Sequence, residues 1–330
     1  MEEFVRRIVD ALPTATGKVL IRDRAGHGSL AESVAQACAA RGLAPITEYV
    51  SNAELRRVIG ASSPGQLSCW DVERAGLAAE IGGLIVLGGW RLDLAGLAPE
   101  SVAAWAAATG RVEAVIERRR VPTVVVAVPT EDVASQLGMS IESLESRVMP
   151  SILVSASELN LATDRVVTLL DRGSSIEVRT AVGTLAVERG QRPLLVDDGV
   201  VDSFDIAVGA TVSNLPAGSV YWTVLEDSTR GRVELVNGAV LEFGPDGRVT
   251  SDEFAGERVS HIGIATNPLV SRSIGWTIVD EHRPGAVFLA LGENRYLGGE
   301  NASAINVDLL PSSPTVVIDG TTVVADGELV

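Results

Sequence analysis

The sequence predicts an α/β fold, α+β overall, with an N-terminal parallel α/β/α domain followed by a β-rich C-terminal domain. Three observations predict it. Between residue 18 and about 130, short β-branched runs alternate with long alanine-rich segments of helical period, the pattern of a parallel sheet with crossover helices. From 131 to about 170 the period is helical throughout. After Gly173-Ser174-Ser175, β-branched residues alternate with polar ones, and Gly and Asp-Gly turns recur to the end. At 330 residues the chain exceeds a comfortable single core. The division drawn is 1–130, an α/β sheet domain; 131–173, a helical connector; and 174–330, a β-rich domain carrying the candidate site.

The strands of the first part are expected at 18–23 (KVLIRD), 44–50 (APITEYV), 83–89 (GLIVLGG) and 122–129 (PTVVVAVP). Two of them are near-continuous apolar runs, as strands covered on both faces should be. Helices are expected at 28–42, with Gly42 as its stop, and at 99–119, with Pro99 in its first turn. The glycine-rich turn Arg24-Ala25-Gly26-His27-Gly28-Ser29 leads from strand to helix, but it lacks both a full G-x-G-x-x-G and a P-loop lysine, so it reads as a plain βα turn with His27 in the loop. Leu137-Gly138-Met139-Ser140 reads as a helix stop followed by a new N-cap. Hairpins are expected in the segment SIEVRTAVGTLAVERG around Gly183, and in AVLEFGPDGRVTSDEF around Pro245-Asp246-Gly247.

Composition narrows the partners. Apolar content of 46% builds ordinary cores, and no window approaches the roughly 18 apolar residues of a membrane span. The acidic start MEEFVRRIVDALP lacks a secretory h-region, so a cytoplasmic protein is expected. A net charge of −16 repels phosphate backbones and anionic lipid, which predicts neither nucleic-acid nor membrane partners. The basic cluster Arg118, Arg119 and Arg120 ends a helical pattern, where cations complement the helix terminus, and reads as a solvated helix end. Cys38 and Cys69 form no disulfide or zinc pattern and read as structural filler.

Chemistry concentrates in the last third. His261 lies in Ser260-His261-Ile262-Gly263-Ile264-Ala265-Thr266-Asn267-Pro268, a strand-to-turn location of the kind that presents ligands. Asn306 and Asp308 are two apart in an apolar stretch and so point the same way from a strand. His282, beside Glu281 and before Pro284, reads as the decoration of a turn.

These stretches resemble the thermophilic metallo-aminopeptidase family (leucyl aminopeptidase-like) and the related 2,5-dihydroxypyridine dioxygenases. The resemblance covers roughly 130–310. Asn214-Leu215-Pro216-Ala217-Gly218-Ser219-Val220-Tyr221 is similar to the peptidases' Asn-Leu-Pro-Ala-Gly-Glu-Val-Phe, and 261–268 is similar to their Glu-Leu-Gly-Ile-Gly-Thr-Asn-Pro. Residues 280–292 resemble Asp-Glu-Lys…Gly-Thr-Val-His-Ile-Ala-Leu-Gly, and 299–308 resemble Gly-Gly-x-Asn-x-Ser-x-Ile-His-x-Asp. The resemblance implies their fold, a homodimer, and a site at Ser219, His261, Phe288, Tyr296, Asn306 and Asp308, with Tyr296 one residue out of register from the family's catalytic tyrosine. At the family's ligand positions stand Ser219, His261, Phe288 and Asn306, and only Asp308 keeps the peptidase pattern. His261 matches the dioxygenase variant, whose His, His, Asp triad suits Fe(II); here that triad is His261, Asn306 and Asp308. The expectation is a non-catalytic protein without a cofactor, binding a peptide or small molecule in a biosynthetic or tailoring pathway. The alternative is an enzyme using Fe(II) or another divalent metal, a ring-cleaving dioxygenase or a hydrolase, helped by Ser219, Glu293 or Tyr296.

Overall fold

A computed structural model describes residues 1–88, 92–171, 173–251, 254–303 and 305–330. Gly89 of the third expected strand, residues 252–253 of the second expected hairpin and Ala304 of the last family-like stretch lie outside the described residues. The chain begins α1 (Glu2–Asp10), β1 (Lys18–Asp23), α2 (Gly28–Ala40), β2 (Ala44–Tyr49), α3 (Asn52–Ala61), α4 (Pro64–Ser68), α5 (Asp71–Ala78) and β3 (Ile81–Gly88). It continues α6 (Pro99–Arg118), β4 (Thr123–Ala127), α7 (Glu131–Gln136), α8 (Ile141–Ile152), α9 (Ala156–Leu170), β5 (Ser175–Thr180), β6 (Gly183–Glu188) and β7 (Leu195–Asp197). Next come α10 (Ser203–Val208), β8 (Val212–Leu215), β9 (Ser219–Thr223), β10 (Arg230–Glu234), β11 (Val240–Phe243) and β12 (Val259–Ala265). The end is α11 (Thr277–Asp280), β13 (Val287–Gly292), β14 (Asn306–Leu309), β15 (Thr315–Ile318), β16 (Thr321–Ala325) and β17 (Glu328–Leu329).

Two compact units result, Met1–Ser146 with Gly199–Leu215, and Arg147–Asp198 with Pro216–Val330. The first is built on an all-parallel sheet in the order β2-β1-β3-β4-β8. Its expected strands form where runs such as Val19-Leu20-Ile21 are buried under helices. Leu20 and Leu84 of the sheet pack with Val112 and Ile116 of α6, which buries the apolar stripe of that helix. A second cluster joins Leu55 and Ile59 of α3 to Trp105 of α6. Segment 199–215, drawn from the sequence as part of the β-rich domain, returns to the first unit, where β8 pairs in parallel with β4 from Thr123↔Val212 to Val126↔Leu215. Nor is 131–173 a body of its own, since α7 belongs to the first unit and α9 to the second.

Arg118, Arg119 and Arg120 are exposed at the end of α6, as expected of a solvated helix end, and two of them also reach neighbouring carbonyls. Arg119 donates to the carbonyls of Ala78 (2.8 Å) and Ile81 (2.6 Å), and Arg120 to those of Ile206 (3.0 Å) and Ala207 (2.7 Å). Both guanidiniums therefore clip neighbouring segments by satisfying carbonyls that would otherwise need water. His27 caps α2, its Nδ1 accepting from Leu30 N–H at 3.3 Å. Cys38 is buried as expected, and burial pushes its thiol up to about 11, whereas Cys69 is exposed.

In the second unit two antiparallel sheets face each other across one core. One has the order β11-β10-β6-β5-β15-β16-β17, the other β14-β13-β12-β9-β7. Ile176, Val178, Leu185 and Val316 from the first sheet meet Trp222, Ile262, Ile264, Leu289 and Leu291 from the second, with Val166 and Leu170 of α9 at the same core. α9 opens with a capping box in which Ser155 Oγ accepts from Glu158 N–H and the Glu158 carboxylate accepts from Ser155 N–H. Ser155→Ala is expected to lower stability by about 1 kcal/mol, read as a shifted urea midpoint with an unchanged slope. Among the described residues no helix is long and apolar enough to cross a membrane.

Candidate functional site

Strand register brings the candidate residues together. Residues directly opposite across an antiparallel ladder share a face. On β9 and β12 the opposed pairs are Ser219–Ala265, Tyr221–Gly263 and Thr223–His261. Gly263 in turn faces Phe288, His261 faces Ala290, Ala290 faces Asp308, and Gly292 faces Asn306. Ser219, His261, Phe288, Asn306 and Asp308 therefore share one face of the five-stranded sheet. Its other face carries Trp222, Ile262, Ile264, Leu289 and Leu291 into the core. The alternation has a plain cause: β9, β12 and β13 are central strands, so one set of side chains closes the sandwich and the other is free for polar groups.

Small residues make this face accessible to its larger members. Ala290, between His261 and Asp308, lets imidazole and carboxylate approach over it, with Nε2 and Oδ1 3.6 Å apart. A Cβ at Gly263 would overlap the Phe288 ring, so that glycine is the seat on which the ring rests. Phe288 meets His261 edge-on, with centroids 6.0 Å apart, and Tyr221 lies 5.7 Å from His261 and 6.4 Å from Phe288. Three rings thus share the middle of the face. Asn306 Nδ2 donates to Tyr296 Oη at 2.6 Å, which ties the tyrosine into the same group.

The hydrogen bonds fix which imidazole nitrogen is free. Ser260 Oγ donates its single proton to the Glu293 carbonyl (2.8 Å), so at His261 Nδ1 (3.0 Å) it can only accept. A neutral His261 then carries its proton on Nδ1 and aims the Nε2 lone pair toward Asp308. Burial pushes the His261 pKa down, and the Asp308 charge only partly opposes it, so the neutral form prevails at neutral pH. Two acceptors, a lone pair and a carboxylate, consequently face each other at 3.6 Å. A ligand ammonium or another cationic donor satisfies both.

A second polar group, which the sequence did not single out, adjoins this pair. His282 lies in a turn, as expected, but its side chain is buried; its Nδ1 donates to the Ile278 carbonyl (2.9 Å), and Nε2 faces Asp197 Oδ2 (3.4 Å). Both ring nitrogens meet acceptors, which suits the imidazolium. Burial disfavours that charge, but the Asp197 hydrogen bond and charge, with the bond to the Ile278 carbonyl, outweigh it and raise the His282 pKa, and Glu281 adds to this only when it is itself ionised. Glu281 is pushed up to about 8, first by burial and then by the Asp308, Asp197 and Asp280 carboxylates, with His282 opposing. At neutral pH it is therefore largely a neutral acid beside the Asp308 carboxylate. The run Asp280-Glu281-His282 inside an apolar stretch was the available signal; Asp197, 85 residues from His282, gave none.

The donor set decides what this face can hold. A paired-metal centre needs several anionic or imidazole ligands within a few ångströms, and among the described residues no group of three or more His, Cys, Asp and Glu is placed to hold a metal ion. His261 and Asp308 remain as donors, while Asn306 adds a neutral carbonyl oxygen and Phe288 nothing. These residues do not fit a two-metal centre, and they fall one strong ligand short of a facial triad.

Solved structures resemble the whole chain, two of them as follows. Wild-type AmpT from Thermus thermophilus matches with a TM-score of 0.75 at 17% identity, covering 100% of this chain and 98% of that one. The 2,5-dihydroxypyridine dioxygenase from Pseudomonas putida KT2440 matches with a TM-score of 0.61 at 13% identity, covering 100% and 96%. At these identities the likeness establishes the fold. No protein-family model and no curated protein matches the sequence.

Proposed function

We propose that this chain is a ligand-binding protein on an aminopeptidase-like fold, and that the polar face of its five-stranded sheet holds a peptide or small molecule without cleaving it. The observation that carries the reading is the side-chain set on that face. Where a metal centre would gather ligands, the Phe288 ring sits over Gly263 between His261 and Tyr221, and His261 Nε2 with Asp308 is left as an acceptor pair. The N-terminal ammonium of a peptide suits that pair, since it donates to imidazole and carboxylate together and neutralises their repulsion. The Tyr221 and Phe288 rings offer apolar area for the adjoining side chain. Recognition of this kind needs no metal, because binding and bond cleavage draw on separate interactions.

Titration of the purified protein with Leu-Gly-Gly and with its N-acetylated form is the direct test. Binding of the free amine is expected to be stronger, and Asp308→Ala is expected to weaken it about tenfold or more, the effect of losing a charge-assisted hydrogen bond. Equal binding of the two peptides would remove the ammonium from the reading.

The alternative, a mononuclear metal enzyme at His261, Asn306 and Asp308, is favoured by one feature, the separation of 3.6 Å at which two donors point at a common space. Elemental analysis after anaerobic Fe(II), Zn(II) and Mn(II) addition separates the two. Substoichiometric metal is expected; one equivalent, lost in Asp308→Ala, would establish the alternative, and Asn306→His should then raise Fe(II) affinity.

A further inference from the structure

The parallel sheet of the first unit has a topological reversal. From β1 the chain crosses to β2 on one side, then returns to β3 on the other side of β1. Adjacent connections diverge at such a point, and a crevice opens beyond the C-terminal ends of the two strands. Here a cavity of about 430 Å³ lies at that place, bordered by Arg24 just past β1, Gly88 at the end of β3 and Thr130 just past β4. Its size falls within the range of about 300–1,000 Å³ of small-molecule pockets. Gly88 has φ +154°, and a Cβ there would stand 3.0 Å from Arg24 Cβ, so the two strand ends approach closely and part of the wall is bare backbone.

The charges around the cavity are of both signs and are held in place. Arg56 donates to the Asp93 and Ala95 carbonyls and pairs with the Asp93 carboxylate at 3.3 Å, so its guanidinium is fixed on the wall. Beside it opens α3, ten residues long, whose first turn carries a partial positive charge. In that turn Asn52 N–H donates to the Arg24 carbonyl (3.1 Å), Glu54 N–H to Ser51 Oγ (3.2 Å) and Leu55 N–H to the Ser51 carbonyl (2.9 Å). Among the described residues these bonds leave over the amide of Ala53, a residue that lines the cavity. Asp132, in the first turn of α7, supplies a carboxylate to the same cavity.

We propose that this cavity binds a small zwitterion of amino-acid size, its carboxylate received by Arg56 and the first turn of α3, and its ammonium by Asp132. A phosphate dianion would meet the Asp132 carboxylate with no ammonium to offer it, and a simple cation would leave Arg56 and the first turn of α3 without an anion, so each of these lacks half of the complement. Val128 and Val133, also in the wall, receive the ligand's apolar part. This site belongs to the first unit alone and is independent of the peptide reading above.

The test is calorimetric titration of the full chain with each of the free L-amino acids, and with acetate, methylammonium and inorganic phosphate as partial ligands. At least one amino acid is expected to bind with unit stoichiometry, and acetate and methylammonium about tenfold more weakly or not at all. Asp132→Asn and the cavity-filling Ala53→Phe should each weaken it about tenfold, whereas Asp308→Ala, in the other unit, should leave it unchanged. Thermal unfolding checks that both variants fold; Asp132 is exposed, so its replacement carries the test alone if Ala53→Phe does not fold. Absence of amino-acid binding, tighter binding of phosphate, or binding lost in Asp308→Ala but kept in Asp132→Asn would each overturn the proposal.

Discussion

Replacing Gly263 by alanine is expected to destabilise the second unit by about 2–3 kcal/mol, at the upper end of what overpacking costs. The added methyl would overlap the Phe288 ring, which His261 and Tyr221 border and β13 holds from below. Neither backbone can retreat, because Gly263 lies on a central strand paired on both sides. If the ring is the obstacle, a smaller residue at 288 should restore part of the loss. Gly263→Ala combined with Phe288→Leu is therefore expected to be at least about 1 kcal/mol more stable than the sum of the single effects, within the usual range for touching residues. Urea unfolding of the four proteins measures this, and strict additivity would mean that the ring does not rest on the glycine.

This pair illustrates what was legible in the sequence. The strand containing His261 and the two-residue spacing of Asn306 and Asp308 could be read directly, because alternation along a strand is local. That Phe288 sits over Gly263, 25 residues away in sequence, depends on register, which only folding sets. Of the first four parallel strands, β3 and β4 were legible as apolar runs because they are central and largely buried. β8 was not: Val212-Ser213-Asn214-Leu215 is a short edge strand with half its side chains outward, and its value to the sheet lies in backbone pairing. Likewise Asp197, Glu281 and His282 were individually visible, but their meeting in one buried group comes from the pairing of β7 with β9 and the turn before β13.

The second large effect is on the pH dependence of stability. Folded Glu281 holds its proton up to about pH 8, whereas an unfolded glutamate releases it near about 4.3. Between these values the folded chain binds more protons than the unfolded one, so stability falls as pH rises. His282 acts in the same direction. Its pKa is raised on folding, so its contribution is complete below the unfolded value of about 6.5 and is lost as pH rises through the folded one. His261 acts oppositely, because its depressed pKa costs stability as pH falls below about 6.5. Glu281→Gln keeps the shape of the neutral acid and removes its titration. The variant is expected to lose much of the decline between about pH 5.5 and about pH 8.5, and to exceed the wild type at the alkaline end by roughly 1–3 kcal/mol. Urea midpoints across that range supply the comparison. Parallel profiles would show that Glu281 is ionised throughout.

The return of segment 199–215 to the first unit governs how the molecule is made. During synthesis β4 is finished roughly 90 residues before its partner β8 emerges, and β5 to β7 are produced in between. At bacterial or eukaryotic elongation rates that interval lasts on the order of 5–20 s. Throughout it the nascent sheet keeps the β4 edge bare, a template for pairing with any other extended chain. A polypeptide stalled or truncated between 128 and 211 leaves the ribosome with that edge open, so the yield of correctly folded protein depends on how quickly this interval is translated.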